Sequence, residues 1–273
     1  MRVDLHVHTA FSDGTLTPEQ AVDTAYSLKL RAIAITDHDT VEGIKPALDR
    51  AKEYSSFEVI PGIEINAFYL NEEIHILGYY IDWENDFLRS TLKSLQEERV
   101  ERIKKIVKKL NDMGIEISFE DILAKASGSS VGRPHVAAAL VEKKIVSSIK
   151  EAFDLYLDKG KPAFVPREKI TPHYAVDVLK KSGGIPVLAH PGKIKDQSIV
   201  KSLIDYGIQG IEVYHKDHDE EMVQHYKKIA SKYGLLLTGG SDCHGKPLIM
   251  GSQPVPYEYV TQLKQIKKQL CIQ

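Results

Sequence analysis

The sequence predicts an α/β fold, a parallel sheet or barrel with a helical stretch inserted in it. Three observations predict this. Short apolar runs alternate with helical patterns at both ends of the chain, the middle is helical without strands, and His, Asp or Glu recurs where the runs end. A chain of 273 residues is long enough for one large barrel or for two ordinary domains.

The strand-like runs, in order, are Val3–His8, Ala32–Thr36, Glu58–Asn66, Ile74–Ile81, Ile185–Ala189, Gly210–Tyr214 and Leu235–Gly239. Helical patterns separate most of them, the arrangement that parallel strands require. The first helix starts at Thr17-Pro18-Glu19-Gln20, with Thr17 as N-cap and Pro18 at the first helical position. Its apolar face runs through Ala21, Val22, Ala25 and Leu28. From about Glu84 to Gly160 no run reads as a strand, while Leu92, Leu95, Ile103, Ile106, Val107 and Leu110 recur at helical spacing among charges. The expected organisation is a first barrel part over 1–84, a helical subdomain over 85–160 and a second barrel part over 161–273. Tyr257 to Leu270 reads as a closing helix.

Composition excludes several classes. Hydrophobic residues at 42% and charged residues at 27% are ordinary for a globular protein, and a net charge of −2 gives no electrostatic basis for gripping a nucleic-acid duplex. Two cysteines, Cys243 and Cys271, make no disulfide framework and point to a reducing compartment. With no signal-peptide run and no membrane-spanning run, a cytoplasmic monomer that touches no membrane is expected.

The chemistry is concentrated at the run ends. In Asp4-Leu5-His6-Val7-His8, His6 and His8 share one strand face, a chelating arrangement. Asp13 follows in Ser12-Asp13-Gly14, where its carboxylate can fold back over the strand end. The second run ends in Thr36-Asp37-His38-Asp39, the third contains Glu64, the fourth carries His75, and the fifth ends in His190-Pro191. The last leads into Ser241-Asp242-Cys243-His244, where Asp242 and His244 share a face and Cys243 points into the core. Barrel enzymes build their sites from strand C-terminal ends. Half-buried histidines explain one such pair, but six coincidences need a shared cause.

A second motif, Gly132-Arg133-Pro134-His135, opens the apolar helix Val136–Val141. Pro134 suits its first turn and leaves Arg133 at the N-terminus, where backbone N–H groups favour an anion. Each charge-assisted bond from its guanidinium to phosphate contributes about 1.5–3 kcal/mol. His215 closes the sixth run and is expected to line the pocket, and Lys193 after His190-Pro191-Gly192 can reach phosphate. Asp37 is expected to orient a ligand imidazole. His173, His218 and His225 fall in helical patterns and read as surface residues.

The ordered set HxH, SDG, TDH, Glu64, His75, HP and DxH resembles the PHP (polymerase and histidinol phosphatase) family. The helical insertion with its GRPH motif resembles the TrpH/YciV-like branch of 3′,5′-nucleoside bisphosphate phosphatases, whose relatives also trim short RNA from the 5′ end. The resemblance implies a distorted (β/α)7 barrel. It also implies that His6, His8, Asp13, His38, Glu64, His75, His190, Asp242 and His244 are metal ligands, with Glu64 bridging. Nine protein ligands suit two or three divalent ions, and a donor set without thiolate suits Mn²⁺ first, with Fe²⁺ or Zn²⁺ next. Three such ions would outweigh the three carboxylates and make the pocket attract anions despite the chain's net charge. The implied reaction is attack of a metal-bridging hydroxide on the 3′-phosphate of a pAp-like substrate, with Arg133, His135, His215 and Lys193 binding phosphate and the first three also assisting catalysis. The rival readings are a 5′→3′ exonuclease on short oligonucleotides, a broad phosphatase for small esters, and a PHP module that has lost catalysis.

Overall fold

The computed structural model describes residues 1–70, 72–126, 131–166 and 170–270, and Cys271 lies outside them. Strands β1 (Val3–Val7), β2 (Ala32–Ile35), β3 (Glu58–Tyr69), β4 (Glu72–Tyr79), β5 (Ile185–Leu188), β6 (Gly210–Tyr214) and β7 (Leu236–Gly239) form one sheet in the order of the chain. The sheet curls until its ends meet. The His8 N–H donates to the Cys243 carbonyl at 3.0 Å, and the Cys243 N–H donates to the His6 carbonyl at 3.3 Å. Gly240 permits this approach, because a Cβ there would lie 2.3 Å from the His6 Cβ.

All seven expected runs are strands, but one expectation about their direction fails. β4 runs antiparallel to both β3 and β5, whereas the other neighbours pair in parallel. The reason is the connection: two residues separate β3 from β4, enough for a hairpin but far too few for a crossover helix.

The flanking helices are α1 (Pro18–Ser27), α2 (Ile44–Ala51), α7 (Pro172–Lys181), α8 (Ser198–Tyr206), α9 (Glu220–Tyr233) and α10 (Glu258–Leu270). Thr17 caps α1 as expected, accepting from the Gln20 N–H while the Gln20 side chain accepts from the Thr17 N–H. One large core joins the sheet to α1, α2, α7, α8 and α9, and a second cluster packs α10 against Val3, Leu5, Ala32, Ile60 and Tyr79.

Between β4 and β5 the described residues form helices, namely α3 (Asp86–Asp112), α4 (Phe119–Leu123), α5 (Arg133–Glu142) and α6 (Ile149–Ala152), followed by a π turn over Phe153–Leu157. Helix α3 belongs to two cores. Its first turns bury Leu88, Leu92 and Leu95 on the barrel core, while Ile103, Ile106 and Leu110 join a separate cluster that runs to Val165. Each of these fully buried leucines contributes about 1.5–3 kcal/mol. Together they hold the next turn of α3 against the loop after β2, where the Gln96 side-chain amide donates to the Asp39 carbonyl at 3.0 Å.

Candidate metal centre and phosphate pocket

Strand alternation places the rings of His6 and His8 together, with centroids 5.1 Å apart and both side chains fully buried. Other strands and the loops that follow them converge on this pair. Glu64 from β3 is the hub. Its Oε2 lies 3.3 Å from the Nε2 atoms of His6 and His8 and 3.0 Å from Nδ1 of His38. Its Oε1 lies 2.9 Å from Nδ1 of His75 and 3.1 Å from Nε2 of His190. Asp242 Oδ1 approaches Nε2 of His8 to 3.2 Å and that of His6 to 3.5 Å, and Asp13 Oδ1 lies 3.2 Å from Nε2 of His244. The structure thus brings all nine expected ligands into one cluster.

Four sets within the cluster offer ligand atoms within 4.8 Å of one another: His8, Asp13, His38 and His244; His6, Glu64 and His190; His6, His8 and Asp242; and His38, Glu64 and His75. Nε2 of His6, both ring nitrogens of His8, Nδ1 of His38, Oδ1 of Asp13 and Oε2 of Glu64 are buried without a hydrogen bond. Buried polar atoms are normally satisfied, so this pattern fits a site built for cations.

The electrostatics agree. Burial by itself would raise the Glu64 carboxyl, but the surrounding imidazoles, led by His75, His38 and His6, hold it well below the usual range. The same competition keeps Asp13 and Asp242 low. Burial pushes His38 down to about 3 and His190 down to about 4, against the pull of the nearby Glu64 carboxylate.

Three residues of the site lie in the left-handed region of backbone space. His190 and Asp242 adopt φ of 25° and 52°, and Asp39 adopts 50°. A non-glycine residue in such a conformation costs of order 1–3 kcal/mol, and the surrounding bonds hold these three in place.

A second layer of carboxylates supports the first, and the sequence reading passed over part of it. Glu212 on β6 accepts from His6 Nδ1 at 3.0 Å and from the His190 backbone N–H at 2.7 Å, which leaves His6 Nε2 as the free lone pair. Its signal in the sequence was a charge inside the apolar run Gly210–Tyr214. Asp4 accepts from the Ser241 and Gly251 N–H groups and the Ser241 hydroxyl, tying β1 to the loop after β7. Asp37 does not orient an imidazole. It accepts from the Thr9 N–H, the Thr9 hydroxyl and the Ser12 hydroxyl, and so organises the loop that delivers Asp13. The cause is its direction, away from His38 and toward the end of β1.

Above the cluster opens a pocket of about 660 Å³. Asp13, His38 and His75 form its floor, and Asn66, Arg99, Arg102, Arg133, His135 and Phe153 stand around it. Arg133 is the first residue of α5, as expected, with its guanidinium paired to Glu73 at 2.9 Å and lying 5.6 Å from the Phe153 ring centre. His135 is buried, and its Nδ1 accepts from the Gly132 N–H at 2.9 Å, so Nε2 carries the proton. Burial lowers its pKa, so the ring is neutral. Arg99, unnoticed in the sequence, grips Asp39 Oδ2 with Nε at 2.8 Å and Nη2 at 2.6 Å, joining the helical region to the loop that carries His38.

The remaining expected residues lie elsewhere. His215 is buried behind Asp242, with Nε2 3.4 Å from Oδ2 and Nδ1 accepting from the Asp217 N–H. It is absent from the pocket wall. Lys193 faces Asp217 at 3.8 Å on the surface, also outside that wall. Lys216 instead reaches Asp242, with Nζ 2.9 Å from Oδ2. His218 is not a helical surface residue. It precedes α9 and links two loops, its ring bonding the Gly192 N–H and the Val213 carbonyl. His173 does lie on a helix, α7, but bonds the Ser202 hydroxyl at 2.8 Å, and His225 is exposed. Among the described residues no helix is long and apolar enough to cross a membrane.

Comparison with known proteins agrees with this geometry. The model of the PHP domain family matches residues 4–238. The chain is 34% identical over 260 residues to the 5′-3′ exoribonuclease Rnm of Escherichia coli K12, covering 93% of this chain and 86% of that protein. It is 32% identical over 248 residues to the 3′,5′-nucleoside bisphosphate phosphatase of Chromobacterium violaceum, covering 89% and 87%. The solved structure of a candidate metal-dependent phosphoesterase from Bifidobacterium adolescentis superposes with a TM-score of 0.89 at 30% identity over 96% of this chain and 95% of that one.

Proposed function

The chain belongs to the PHP domain family, and from that premise we propose that it is a metal-dependent phosphoesterase that removes the 3′-phosphate of a nucleoside 3′,5′-bisphosphate such as adenosine 3′,5′-bisphosphate (pAp). The observation that carries the reading is the position of the ligand cluster, whose unsatisfied atoms lie under a pocket walled by Arg99, Arg102 and Arg133. Two or three divalent ions, Mn²⁺ foremost, would be held by His6, His8, Asp13, His38, Glu64, His75, His190, Asp242 and His244. When bound, such ions lower the pKa of water toward about 7 and offset charge on a phosphoryl group.

The chain's own residues do the rest. Glu212 and the Asp242 carbonyl accept from Nδ1 of His6 and of His244, so each ring presents Nε2 to the cluster. Glu73 holds the Arg133 guanidinium over the floor. His135 keeps a neutral ring on the pocket wall, held between the Gly132 N–H and the Ser12 backbone. In the hydrolysis a water oxygen joins phosphorus, the P–O3′ bond breaks, and O3′ takes up a proton.

The test is phosphate release from pAp with and without Mn²⁺, for the wild type and for His8→Ala. Release that needs metal and disappears in His8→Ala is expected. No release from pAp, AMP or a short RNA under any divalent metal would refute the assignment.

Arg133 is assigned to the second phosphate, the one that is not cleaved. Arg133→Ala should then lower kcat/KM for pAp by about 10–100-fold, the worth of a charged hydrogen-bond pair, and leave 3′-AMP within about threefold. Equal losses on both substrates would move Arg133 to the scissile phosphate.

A further inference from the structure

We propose that Lys216 is a positioning residue of the metal centre, whose ammonium fixes Asp242 as a ligand through one carboxylate oxygen and sets the ring of His244 through the Asp242 carbonyl. The proposal rests on the ligand assignment above and is independent of the substrate. Lys216 follows β6 and does not line the pocket over the cluster, so it acts on the chemistry only through Asp242. Its Nζ lies 2.9 Å from Asp242 Oδ2 and donates to the Asp242 carbonyl at 3.2 Å. One ammonium thus holds both the side chain and the main chain of a residue whose φ of 52° is costly by itself.

The two oxygens of Asp242 have separate partners. Oδ2 faces Lys216 and, at 3.4 Å, Nε2 of His215. His215 Nδ1 accepts from the Asp217 N–H at 3.1 Å, so its Nε2 carries a proton and presents it to Oδ2. Oδ1 faces the cluster instead, 3.2 Å from Nε2 of His8 and 3.5 Å from Nε2 of His6, and these three residues form one of the sets that offer atoms to an ion. Two donors on Oδ2 occupy that oxygen and leave Oδ1 as the ligand atom. The Asp242 carbonyl is shared in a similar way. It accepts from Lys216 and from Nδ1 of His244 at 3.0 Å, which leaves Nε2 of His244 facing Asp13 Oδ1 at 3.2 Å. His244 belongs to a different set, with His8, Asp13 and His38, so a single lysine supports two of the sets.

The loop that carries Lys216 is itself pinned. The His218 N–H donates to the His215 carbonyl at 3.1 Å, and the His218 ring bonds the Val213 carbonyl and the Gly192 N–H. A cation beside a cation site also repels the ion, and this effect opposes positioning. Two features limit it. The ammonium sits on Oδ2 while the cluster sits on Oδ1, so the Asp242 charge offsets it. The Lys216 side chain is also 34% exposed, so water screens its charge, whereas that of Asp242 is only 9% exposed. In water-like surroundings such repulsion changes affinity by less than about tenfold, whereas removing a group that orients a ligand typically costs about 10–100-fold. Positioning is therefore the larger effect.

The experiment titrates the metal-free protein with Mn²⁺ and follows free Mn²⁺ by its electron paramagnetic resonance signal, for the wild type, Lys216→Met, Lys216→Arg and His8→Ala. Methionine keeps most of the stem and removes the charge and the donors. Lys216→Met should bind Mn²⁺ about tenfold or more weakly, while Lys216→Arg, whose fork spans carboxylate and carbonyl, should stay within about threefold of the wild type. Without metal, both Lys216 variants should melt within about 2 °C of the wild type, as expected for a change at a part-exposed side chain. Unchanged or tighter Mn²⁺ binding by Lys216→Met would overturn the assignment. So would a Lys216→Arg variant as weak as Lys216→Met, or a metal-free Lys216→Met protein melting more than about 5 °C below the wild type, since either would make Lys216 a structural residue. If the wild type binds Mn²⁺ no better than His8→Ala does, the ligand assignment itself fails and the role of Lys216 falls with it.

Discussion

Glu64→Gln is expected to reduce kcat/KM by about a thousandfold or more and to lower the metal content of the purified protein. Five imidazole nitrogens, from His6, His8, His38, His75 and His190, lie within 3.3 Å of its two carboxylate oxygens. The amide has nearly the same shape but removes the negative charge and turns one acceptor into a donor facing those rings. Loss of the proposed bridging ligand would forfeit several kcal/mol of metal-derived transition-state stabilisation, and about 4 kcal/mol corresponds to a thousandfold in rate. Metal analysis and kinetics on the same preparation test the point together. Activity within tenfold of wild type at full metal content would show that Glu64 is not the bridging group.

The second large effect concerns stability. Chelation should lower the melting temperature by about 5–10 °C for each ion removed, because an ion present at a hundred times its Kd contributes about 2.7 kcal/mol and a chain of this size shifts about 2–4 °C per kcal/mol. The gap between loaded and chelated protein should also widen between pH 6 and pH 8. Burial holds His38 and His190 at about 3 and about 4, so in the chelated protein stability is lost as pH falls below the ordinary imidazole value of 6.5 toward those values. His8 has the opposite sign. Burial alone would lower it, but the Asp242 and Glu64 carboxylates close to its Nε2 push it up to about 10. Its contribution is full below 6.5 and fades as pH rises toward 10. The chelated protein is therefore most stable near pH 6.5, whereas metal binding needs neutral imidazoles and strengthens as pH rises. A gap that stays constant across this range would contradict the assignment of His8 as a ligand.

Several features of the site were legible because local geometry dictates them. Alternation in a strand places His6 beside His8 whatever the rest of the chain does, and Thr17, Pro18 and Gln20 define a helix start through bonds spanning three residues. The GRPH motif likewise places Arg133 and His135 in the first turn of a helix. The direction of β4 was not legible from the alternation of strands and helices, because it depends on a hairpin connection that leaves no periodic signal.

Arg99, Glu212 and Lys216 escaped notice for one shared reason. Each acts through a partner far away in the chain: Arg99 through Asp39, Glu212 through His6, and Lys216 through Asp242. His215 and Lys193 show the converse. Both follow site strands closely in sequence, yet one is turned behind Asp242 and the other out toward Asp217.

By itself the sequence determined the seven strands, the helical middle and the nine residues gathered at the strand ends, because strand pleat, helix capping and apolar periodicity act over a few residues. Only the tertiary structure decided which side chains support the cluster and which wall its pocket. Those properties depend on distances between segments tens to hundreds of residues apart, which are set when the sheet closes and α3 packs across it.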